Sequence, residues 1–418
     1  MAGLRIAIYH DLPAGGAKRT LRDMARGLSL AHDLDCYSLS CSCHGFCDLR
    51  PYMQRTRIYP FRSTPLLRSP LGRVNALLRS WDIARLTRLE RRIAADIDAG
   101  GYDVVFVHPS QFTQAPALLR FLRTPSVYYC QEPLRRLWEP EGYHKRNEIK
   151  TWRSGLDRID PARALYHGLL RWTDRAGAGG ATCVVVNSRF SKRNVKRIYG
   201  LDARVCYHGV DGALFEPRAL RRNGTVLSVG SLTPVKGHDL IVRALAEMPS
   251  RVRPRLLIVS HVDNEVERAH LCALAHEGGV ELSVRLGVTD EVLVELYNRA
   301  RVTACAAHRE PFGLVPLESM ACGTPVVGVR EGGIAESILD GETGLLVERQ
   351  PEAFARALQT ICTNPALASR LGARGREYVQ THWTWDRRLT FLEEQLVEVA
   401  QMDPAGGPTT GPKEESGA

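Results

Sequence analysis

Short, continuous apolar runs alternate along this chain with segments of helix length, and this alternation constrains the fold most strongly. In the first half the apolar runs lie at residues 4–9, 103–108, 125–130 and 182–187, and a Gly-Gly turn and a helical pattern at 18–30 follow the first run. Such runs are typical of parallel strands that helices bury on both faces. The first half is therefore predicted to be a doubly wound α/β sheet.

The same pattern starts again after residue 220. The strand candidates of this second series are residues 225–230, 255–260, 302–306, 325–329 and 344–347. Because 418 residues exceed one ordinary domain, the two series predict two Rossmann-like domains that face each other across a cleft. Ligands of open α/β sheets bind beyond the carboxyl ends of the strands, so the cleft is the expected site.

The turn-rich segment after residue 211 predicts where the chain divides. We predict an N-terminal domain at 1–211, a linker at 212–223, a C-terminal domain at 224–387, a helix at 388–400 and a tail at 401–418. The helix either closes the second domain or crosses back to the first. The tail is rich in Gly, Pro and small polar residues and is predicted to be disordered.

Composition places the chain among ordinary globular proteins. Hydrophobic residues make up 44% of the sequence and charged residues 24%. No stretch reaches the roughly 18 consecutive apolar residues of a membrane-spanning helix, and the N-terminus lacks the basic and apolar regions of a secretory signal. We therefore expect a cytoplasmic protein with reduced cysteines.

One cysteine cluster raises the question of a metal site. Cys36, Cys41, Cys43, His44 and Cys47 lie close together in the sequence. Their Cys-x-Cys-His spacing does not match the paired Cys-x-x-Cys knuckles of structural zinc sites. A loop of buried or half-buried thiols is the preferred interpretation, and we expect no metal.

The net charge of +10 is concentrated in one part of the chain. Between Arg50 and Arg92 there are eleven arginines, and the only acids are Asp82 and Glu90. This is either a solvated face of helices or a surface that attracts anionic lipid head groups or a phosphate-bearing molecule. Residues 74–97 have an amphipathic helical pattern, which fits a membrane surface or packing on the protein's own sheet. Nucleic acid is disfavoured because the arginines come without interleaved aromatic residues or a binding motif.

Two glutamates with a glycine-containing turn between them point to recognition of a sugar and a phosphate. Glu310 and Glu318 are separated by seven residues that begin with Pro-Phe-Gly. Ionised carboxylates accept hydrogen bonds from sugar hydroxyls, and glycine N–H groups at a helix N-terminus suit phosphate oxygens. By spacing alone, helix capping and a surface position explain these two acids as well.

A glycine-lysine turn follows the first strand of the second series. In the segment 229–237, Lys236 precedes a predicted helix, where a lysine can meet a diphosphate beside the positive helix end. The segment is not a Walker A loop, so triphosphate hydrolysis is disfavoured. A structural or solvated lysine is the alternative.

With these motifs in order, the chain resembles the retaining glycosyltransferases of family 4, the group 1 enzymes with the GT-B fold. The spacing of Glu310 and Glu318 matches the E-x7-E signature of that family. Further blocks resemble it in the same order, at residues 186–190, 208–215, 229–237 and 332–336. The similarity runs from Gly15 to Trp385 and is weak between residues 36 and 100. The resemblance implies an acceptor-binding N-terminal domain and a nucleotide-sugar-binding C-terminal domain.

The resemblance also implies roles for single residues on the donor side. Lys236 would bind the donor diphosphate, Glu310 the donor sugar and Glu318 the ribose. The amides after Glu310 would lie by the sugar hydroxyls and phosphates; they belong to Phe312, Gly313 and Leu314. Ser231 stands where many members have arginine, so the expected two-cation clamp on the diphosphate is reduced to Lys236.

Other implied roles concern the first half. The loop of Gly15 and Gly16 would close on the donor phosphates and the acceptor, and His108 would lie by the transferred sugar. A satisfied structural histidine at a strand end is the alternative for His108. Glu132 is a candidate acceptor-side group, with an ion pair to Arg135 or Arg136 as the alternative.

The function implied is transfer of a hexose, of mannose or glucose type, from a UDP- or GDP-linked donor to an acceptor hydroxyl with retention. No cofactor and no metal are expected. The acceptor would be a lipid-linked or cell-envelope saccharide, as in polysaccharide biosynthesis, with peripheral binding to the inner face of the membrane. Alternatives are a catalytically silent GT-B partner subunit, which Ser231 favours, and a GT-B nucleotide-sugar epimerase, which lacks the E-x7-E block. Phosphorylases of this fold need a lysine-bound pyridoxal phosphate.

Overall fold

A computed structural model of the protein describes residues 3–67, 74–138 and 160–402. Most of the predicted disordered tail, residues 403–418, lies outside these ranges. Within them the strands form two sheets. The strands of the first sheet are β1 (Arg5–Asp11), β2 (Asp33–Leu39), β3 (Arg55–Tyr59), β4 (Val104–Ser110), β5 (Ser126–Cys130), β6 (Cys183–Val186) and β7 (Arg204–Val205). Their spatial order is β3-β2-β1-β4-β5-β6-β7, and neighbouring strands are parallel.

The second sheet repeats this plan. Its strands are β8 (Thr225–Val229), β9 (Arg255–Ser260), β10 (Leu282–Leu286), β11 (Val302–Cys305), β12 (Val326–Val329) and β13 (Gly344–Val347). They are parallel and lie in the order β10-β9-β8-β11-β12-β13. The two doubly wound parallel sheets confirm the predicted α/β class.

Helices connect the strands and cover the sheets. In chain order they are α1 (Gly16–Leu28), α2 (Asn75–Asp98), α3 (Arg135–Trp138), α4 (Pro161–Gly179), α5 (Arg189–Tyr199), α6 (His238–Glu247), α7 (Glu265–Glu277), α8 (Asp290–Arg299), α9 (Leu314–Ala321), α10 (Ile334–Ser337), α11 (Pro351–Thr363), α12 (Pro365–His382) and α13 (Trp385–Ala400). No helix in the described ranges combines the length and apolar character that crossing a membrane requires.

The alternation of side chains along β1 explains why both faces of the first sheet are covered. Ile6 and Ile8 lie in one core cluster with residues of α1 and α13, and Ala7 and Tyr9 lie in another with residues of α2 and α4. Successive strand residues point to opposite faces, so a strand that is buried on both faces must be apolar throughout. This is the physical origin of the continuous apolar runs.

The last helix, α13, lies on the first sheet, although the chain reaches it from the second. Leu392, Leu396 and Val399 are buried in the same core cluster as the β1 residues that face α1. The chain passes over at Trp383, whose carbonyl accepts a 2.8 Å hydrogen bond from the N–H of Val210. The crossing adds a second covalent connection between the halves.

Four strands were absent from the sequence prediction: β2, β3, β7 and β10. β3 and β10 are edge strands with exposed side chains, such as Arg55 and Arg285. Edge strands are often polar, so they lack the apolar run that marks a central strand. β7 has only two residues, and β2 includes Asp33 and Asp35, which interrupt its apolar pattern.

The order of the strands determines where ligands can bind. In the second sheet β8 lies next to β11, so the loops after these strands leave the same edge in opposite directions. In the first sheet β1 lies next to β4 in the same way. A crevice forms at such a switch point, and both crevices lie at the carboxyl ends of the strands.

Candidate active site

Three loops meet at the carboxyl edge of the second sheet. They follow the neighbouring strands β8, β11 and β12 and contain Lys236, Glu310 and Gly332 respectively. Lys236 Nζ lies 2.8 Å from Glu310 Oε2. Both side chains are partly exposed, at 28% and 20%, so the ion pair is open to a ligand. The structure thus joins two residues that the sequence predicts separately.

Glycines allow the loop after β8 to hold Lys236 close to the sheet. A short turn, Pro234–Lys236, ends at Gly237, which has a φ of 67°. A Cβ at Gly237 would lie 2.0 Å from the carbonyl oxygen of Ala306, so only glycine fits. The N–H of His308 donates a 2.7 Å hydrogen bond to the Val235 carbonyl, which ties this loop to the next.

The Gly-Gly pair after β12 fixes the backbone of Glu310. The N–H of Gly333 donates to the Glu310 carbonyl at 2.7 Å. A Cβ on Gly332 would lie 2.4 Å from the same carbonyl oxygen. Arg309, just before Glu310, has a φ of 46°, which is uncommon for a residue with a side chain. The block at 332–336 therefore acts by close backbone packing against the glutamate loop.

Two helices point their N-termini at each other across the cleft. Helix α1 starts after Gly15 and helix α9 starts after Gly313, and neither has a side-chain cap or an acidic residue in its first turn. A Cβ on Gly16 would lie 4.0 Å from Cδ1 of Leu314, and one on Gly313 would lie 3.7 Å from Cγ of Glu310. Two positive helix ends and Lys236 thus border one point, which favours an anion there.

Glu318 lies one turn into α9 and is buried, at 5% exposure. The hydroxyl of Tyr297 donates to its Oε2 at 2.7 Å, and Nη1 of Arg19 lies 3.3 Å from its Oε1. Arg19 also forms an ion pair with Asp290 at the start of α8. Burial raises the pKa of Glu318, and the charge of Arg19 opposes that rise.

Further contacts hold the two halves together beside these loops. The hydroxyl of Ser188 donates to the carbonyl of Pro311 at 2.5 Å. The carboxylate of Glu336 accepts hydrogen bonds from the N–H groups of Arg189 and Phe190, at 2.9 and 2.7 Å. Glu336 of the second half therefore caps α5 of the first half. The loop that contains Pro311 and helix α10, both in the second half, thus contact the first half directly.

His108 lies near the end of β4, in the interior of the first half. The ring is fully buried, with its centroid 4.6 Å from that of Phe106 and 5.5 Å from that of Tyr129. His108 lies on the face of β4 that α1 covers, and burial lowers its pKa to about 3. Its place beside the transferred sugar stays a prediction.

Glu132 lies at the first-half side of the cleft. Its Oε2 is 3.7 Å from Nε of Arg135, whose Nη2 donates a 2.7 Å hydrogen bond to the carbonyl of His308. The side chain of Arg136 lies outside the described part of the structure. The ion pair given as the alternative for Glu132 is therefore present. It lies beside the loop that contains His308 and Glu310.

Ser231 is exposed in the loop after β8, where its hydroxyl oxygen lies 3.2 Å from that of Thr233. A hydroxyl cannot replace a guanidinium on a diphosphate, because it carries no charge and only one donor.

The cysteines of the first cluster, Cys36, Cys41, Cys43 and Cys47, are not joined in disulfides. In the described ranges no three or more His, Cys, Asp and Glu side chains are grouped to hold a metal ion. Burial raises the pKa of Cys36 and of Cys41 to about 12.

Sequence reasoning missed three residues that line or brace the site. They are Arg19, Tyr297 and Asp290, which lie around Glu318. Arg19 follows Gly16 by one helical turn, and this spacing is a signal that could have found it. The contact between Arg19 and Asp290 joins residues that are 271 positions apart, which no local pattern shows.

Comparison with known proteins identifies relatives of both halves. The family described as Glycosyltransferase Family 4 matches residues 14–213, and the family described as Glycosyl transferases group 1 matches residues 214–378. A D-inositol 3-phosphate glycosyltransferase of Acidothermus cellulolyticus is 39% identical over 226 residues, which are 49% of this chain and 50% of that protein. The match thus spans about half the length of this relative.

Solved structures resemble the whole fold. A sucrose-phosphate synthase from Thermosynechococcus elongatus aligns with a TM-score of 0.69 and 22% identity, over 94% of this chain and 98% of its own. Anabaena HepE, in complex with UDP and glucose, aligns with a TM-score of 0.67 and 19% identity, over 94% and 99%. At these identities the likeness concerns the fold alone. The GT-B fold predicted from the sequence is confirmed.

Proposed function

This chain belongs to the group 1 glycosyltransferases of family 4, and from that membership we propose that it transfers a hexose from a UDP- or GDP-linked donor to an acceptor hydroxyl. The hexose is of mannose or glucose type, and its anomeric configuration is retained. One observation carries the proposal: the ion pair of Lys236 and Glu310 meets two uncapped, glycine-led helix N-termini across the cleft.

The donor side follows from the chemistry of these groups. Lys236 and the N–H groups after Gly15 and Gly313 suit the diphosphate, because fixed donors and helix ends favour an anion. Glu310, next to them, accepts hydrogen bonds from the sugar hydroxyls. Glu318 accepts hydrogen bonds from the ribose hydroxyls one helical turn away.

The proposed chemical step is a single group transfer. The acceptor oxygen forms a bond to the anomeric carbon, and the bond from that carbon to the diphosphate oxygen breaks. The acceptor proton passes to an oxygen of the departing diphosphate, which leaves as part of the nucleoside diphosphate. Attack from the leaving-group face gives retention. Lys236 and the two helix N-termini stabilise the negative charge that develops on the diphosphate.

No metal ion is needed for this step, because the protein itself supplies positive charge to the leaving group. The test is release of nucleoside diphosphate from UDP- and GDP-linked hexoses in excess EDTA, with saccharide acceptors and with the Glu310→Ala variant as the control. We expect turnover with at least one donor in EDTA and a loss of about 10²-fold or more in the variant. Activity that EDTA abolishes and Mg²⁺ restores would refute the metal-free step.

A catalytically silent partner subunit is the second candidate function, and Ser231 is the observation that favours it. Such a subunit would keep the fold and bind nucleotide weakly, with one cation fewer on the diphosphate. In the same assay it would release no nucleoside diphosphate from any donor, although the protein is folded. A nucleotide-sugar epimerase would instead change the donor without an acceptor.

The acceptor is proposed to be a lipid-linked or cell-envelope saccharide that meets the protein at the first half. Gly15, Gly16 and Glu132 border the cleft on that side. Support for a membrane-associated acceptor comes from exposed apolar side chains in the first half. Leu66, Leu77 and Trp81 are 55%, 48% and 57% exposed at and before the start of α2.

The rest of α2 is an ordinary surface helix. Leu86, Ile93 and Ile97 are buried against the first sheet, as the packing alternative states. Only the start of the helix therefore presents apolar side chains outward. Exposed arginines precede the helix and lie along it, such as Arg62 and Arg88, and this combination suits the surface of an anionic bilayer.

Binding to vesicles tests this surface. We expect the protein to co-sediment with anionic vesicles at low salt, and the double variant Leu77→Ser, Trp81→Ser to bind about 10-fold or more weakly, because two apolar side chains no longer enter the bilayer. Val266→Ser is the matched control, since Val266 is 58% exposed on the second half. Absence of binding by the unchanged protein would refute the membrane proposal.

A further inference from the structure

Arg19 reaches from the first half into the part of the second half that is proposed to bind ribose. It lies on the first turn of α1, yet its guanidinium contacts Glu318 on α9 and Asp290 on α8. The side chain is 17% exposed. Because α1 and α9 point their first turns at each other, Arg19 faces Glu318 just as Gly16 faces Leu314.

The other arginines of α1 behave differently. Arg22 pairs with its neighbour Asp23, and Arg26, which is 46% exposed, pairs with Asp211. Neither contacts a predicted donor residue. A small cavity in the cleft is lined by Arg19, Leu314 and Glu318, and Arg22 also borders it.

The positive charge of Arg19 offsets the negative charges of two neighbouring carboxylates. Glu318 and Asp290 are two carboxylates close to each other, and a nucleoside diphosphate would add more negative charge beside them. Burial lowers the pKa of Arg19, but Glu318 and Asp290 more than offset this, so the guanidinium stays charged. Without it the carboxylates would repel the diphosphate.

The geometry of a guanidinium permits a third partner. Arginine has five N–H donors in a planar fork. In this structure Nη1 faces Glu318 and Nη2 faces Asp290, which leaves further N–H groups on the same planar head. Asp290 and Glu318 hold the head in place, so a ligand oxygen would meet a group that is already oriented.

We propose that Arg19 is a donor-binding residue that donates hydrogen bonds to the diphosphate of the nucleotide whose ribose binds Glu318. It supplies, from the opposite half of the molecule, the guanidinium that is missing at Ser231. The inference rests on the proposed function, since it takes the cleft to be a nucleotide-sugar site. In this arrangement the diphosphate would meet groups of both halves, from α1 and from α9.

Binding of a nucleotide and of its nucleoside separates the phosphate contact from other roles of Arg19. Dissociation constants are measured for UDP and uridine, and for GDP and guanosine, with the unchanged protein and with Arg19→Ala, Arg19→Lys and Arg26→Ala. We expect Arg19→Ala to weaken the diphosphate by about 10- to 100-fold and the nucleoside by less than about 3-fold. Arg19→Lys should lie between, because it keeps the charge and loses the fork. Arg26→Ala should match the unchanged protein.

Each other outcome has a definite meaning. Equal weakening of diphosphate and nucleoside by Arg19→Ala would show that the residue only positions Glu318, which overturns the proposal. Tighter binding of the diphosphate would show that Arg19 blocks the site, which also overturns it. Arg19→Lys gives the answer if the alanine variant does not fold. If the unchanged protein binds neither UDP nor GDP, the proposed function itself fails, and this result is distinct from the others.

Discussion

Lys236→Ala is expected to lower kcat by about 10²- to 10³-fold, which is the usual cost of removing one preorganised group from the charge that develops in a transition state. Lys236 Nζ is held 2.8 Å from Glu310 and is next to two helix N-termini. In the proposed mechanism the lysine would contact the diphosphate most strongly when the bond to the sugar breaks. With Ser231 in place of the family's arginine, no second cation on this loop compensates for the loss.

The measurement is the steady-state rate of nucleoside diphosphate release at saturating donor. Lys196→Ala is a matched control, because Lys196 is a surface lysine on α5 that pairs with Asp202. We expect it to leave kcat unchanged. A Lys236→Ala protein that is folded and keeps kcat within about threefold would exclude Lys236 from leaving-group stabilisation.

Acidification from pH 6.5 to 5.5 is expected to reduce the free energy of unfolding by about 2–3 kcal/mol. Four buried histidines cause most of this effect: His10, His108, His208 and His238. Burial lowers the pKa of His108 and His208 to about 3 and that of His238 to about 4, and it lowers the pKa of His10 well below the usual value. They stay neutral in the folded protein, whereas the unfolded chain binds protons below about pH 6.5.

The direction of the change in the free energy of unfolding depends on which state binds more protons. Below about pH 6.5 the unfolded chain binds more protons at these histidines, so acid favours unfolding, by about 1 kcal/mol for each histidine over this interval. Glu90 acts in the opposite direction. Burial raises its pKa to about 8, so the folded protein binds the extra proton, and Glu90 stabilises the fold as pH falls from 8. Stability should therefore peak near neutral pH and fall on the acid side.

Chemical denaturation at several pH values between 5 and 8 measures this dependence. His108→Phe should reduce the acid-side slope by up to about 1.4 kcal/mol per pH unit, because one titrating group is lost and the ring volume is similar. The control is His276→Gln, at the end of α7, which should keep the slope. A stability that is flat between pH 5 and 6.5 would show that the four imidazoles are not held neutral.

The sequence predicted the central strands well because their physical signal is local. β1, β4 and β5 are buried on both faces, so each contains a continuous apolar run, and the pattern can be read directly. β3 and β10 lie at sheet edges, where exposed side chains remove that signal. The position of α13 on the first sheet depends on packing between distant segments, so the sequence left two possibilities open.

The residues of the candidate site also differ in whether a local sequence signal marks them. Lys236, Glu310 and Glu318 are marked by short motifs within single loops, and the structure places them at one sheet edge. Arg19 and Glu336 act across the two halves, so their roles depend on how the sheets face each other.

That the cleft binds a nucleotide-sugar is tested most directly by the melting temperature of the protein with a panel of UDP- and GDP-linked hexoses. A ligand that binds only the native state at 100 times its dissociation constant stabilises it by about 2.7 kcal/mol. We predict that at least one donor raises the melting temperature by several degrees, and that Lys236→Ala and Glu318→Ala reduce the shift. No shift with any donor, or an equal shift in both variants, would contradict a donor site at Lys236, Glu310 and Glu318.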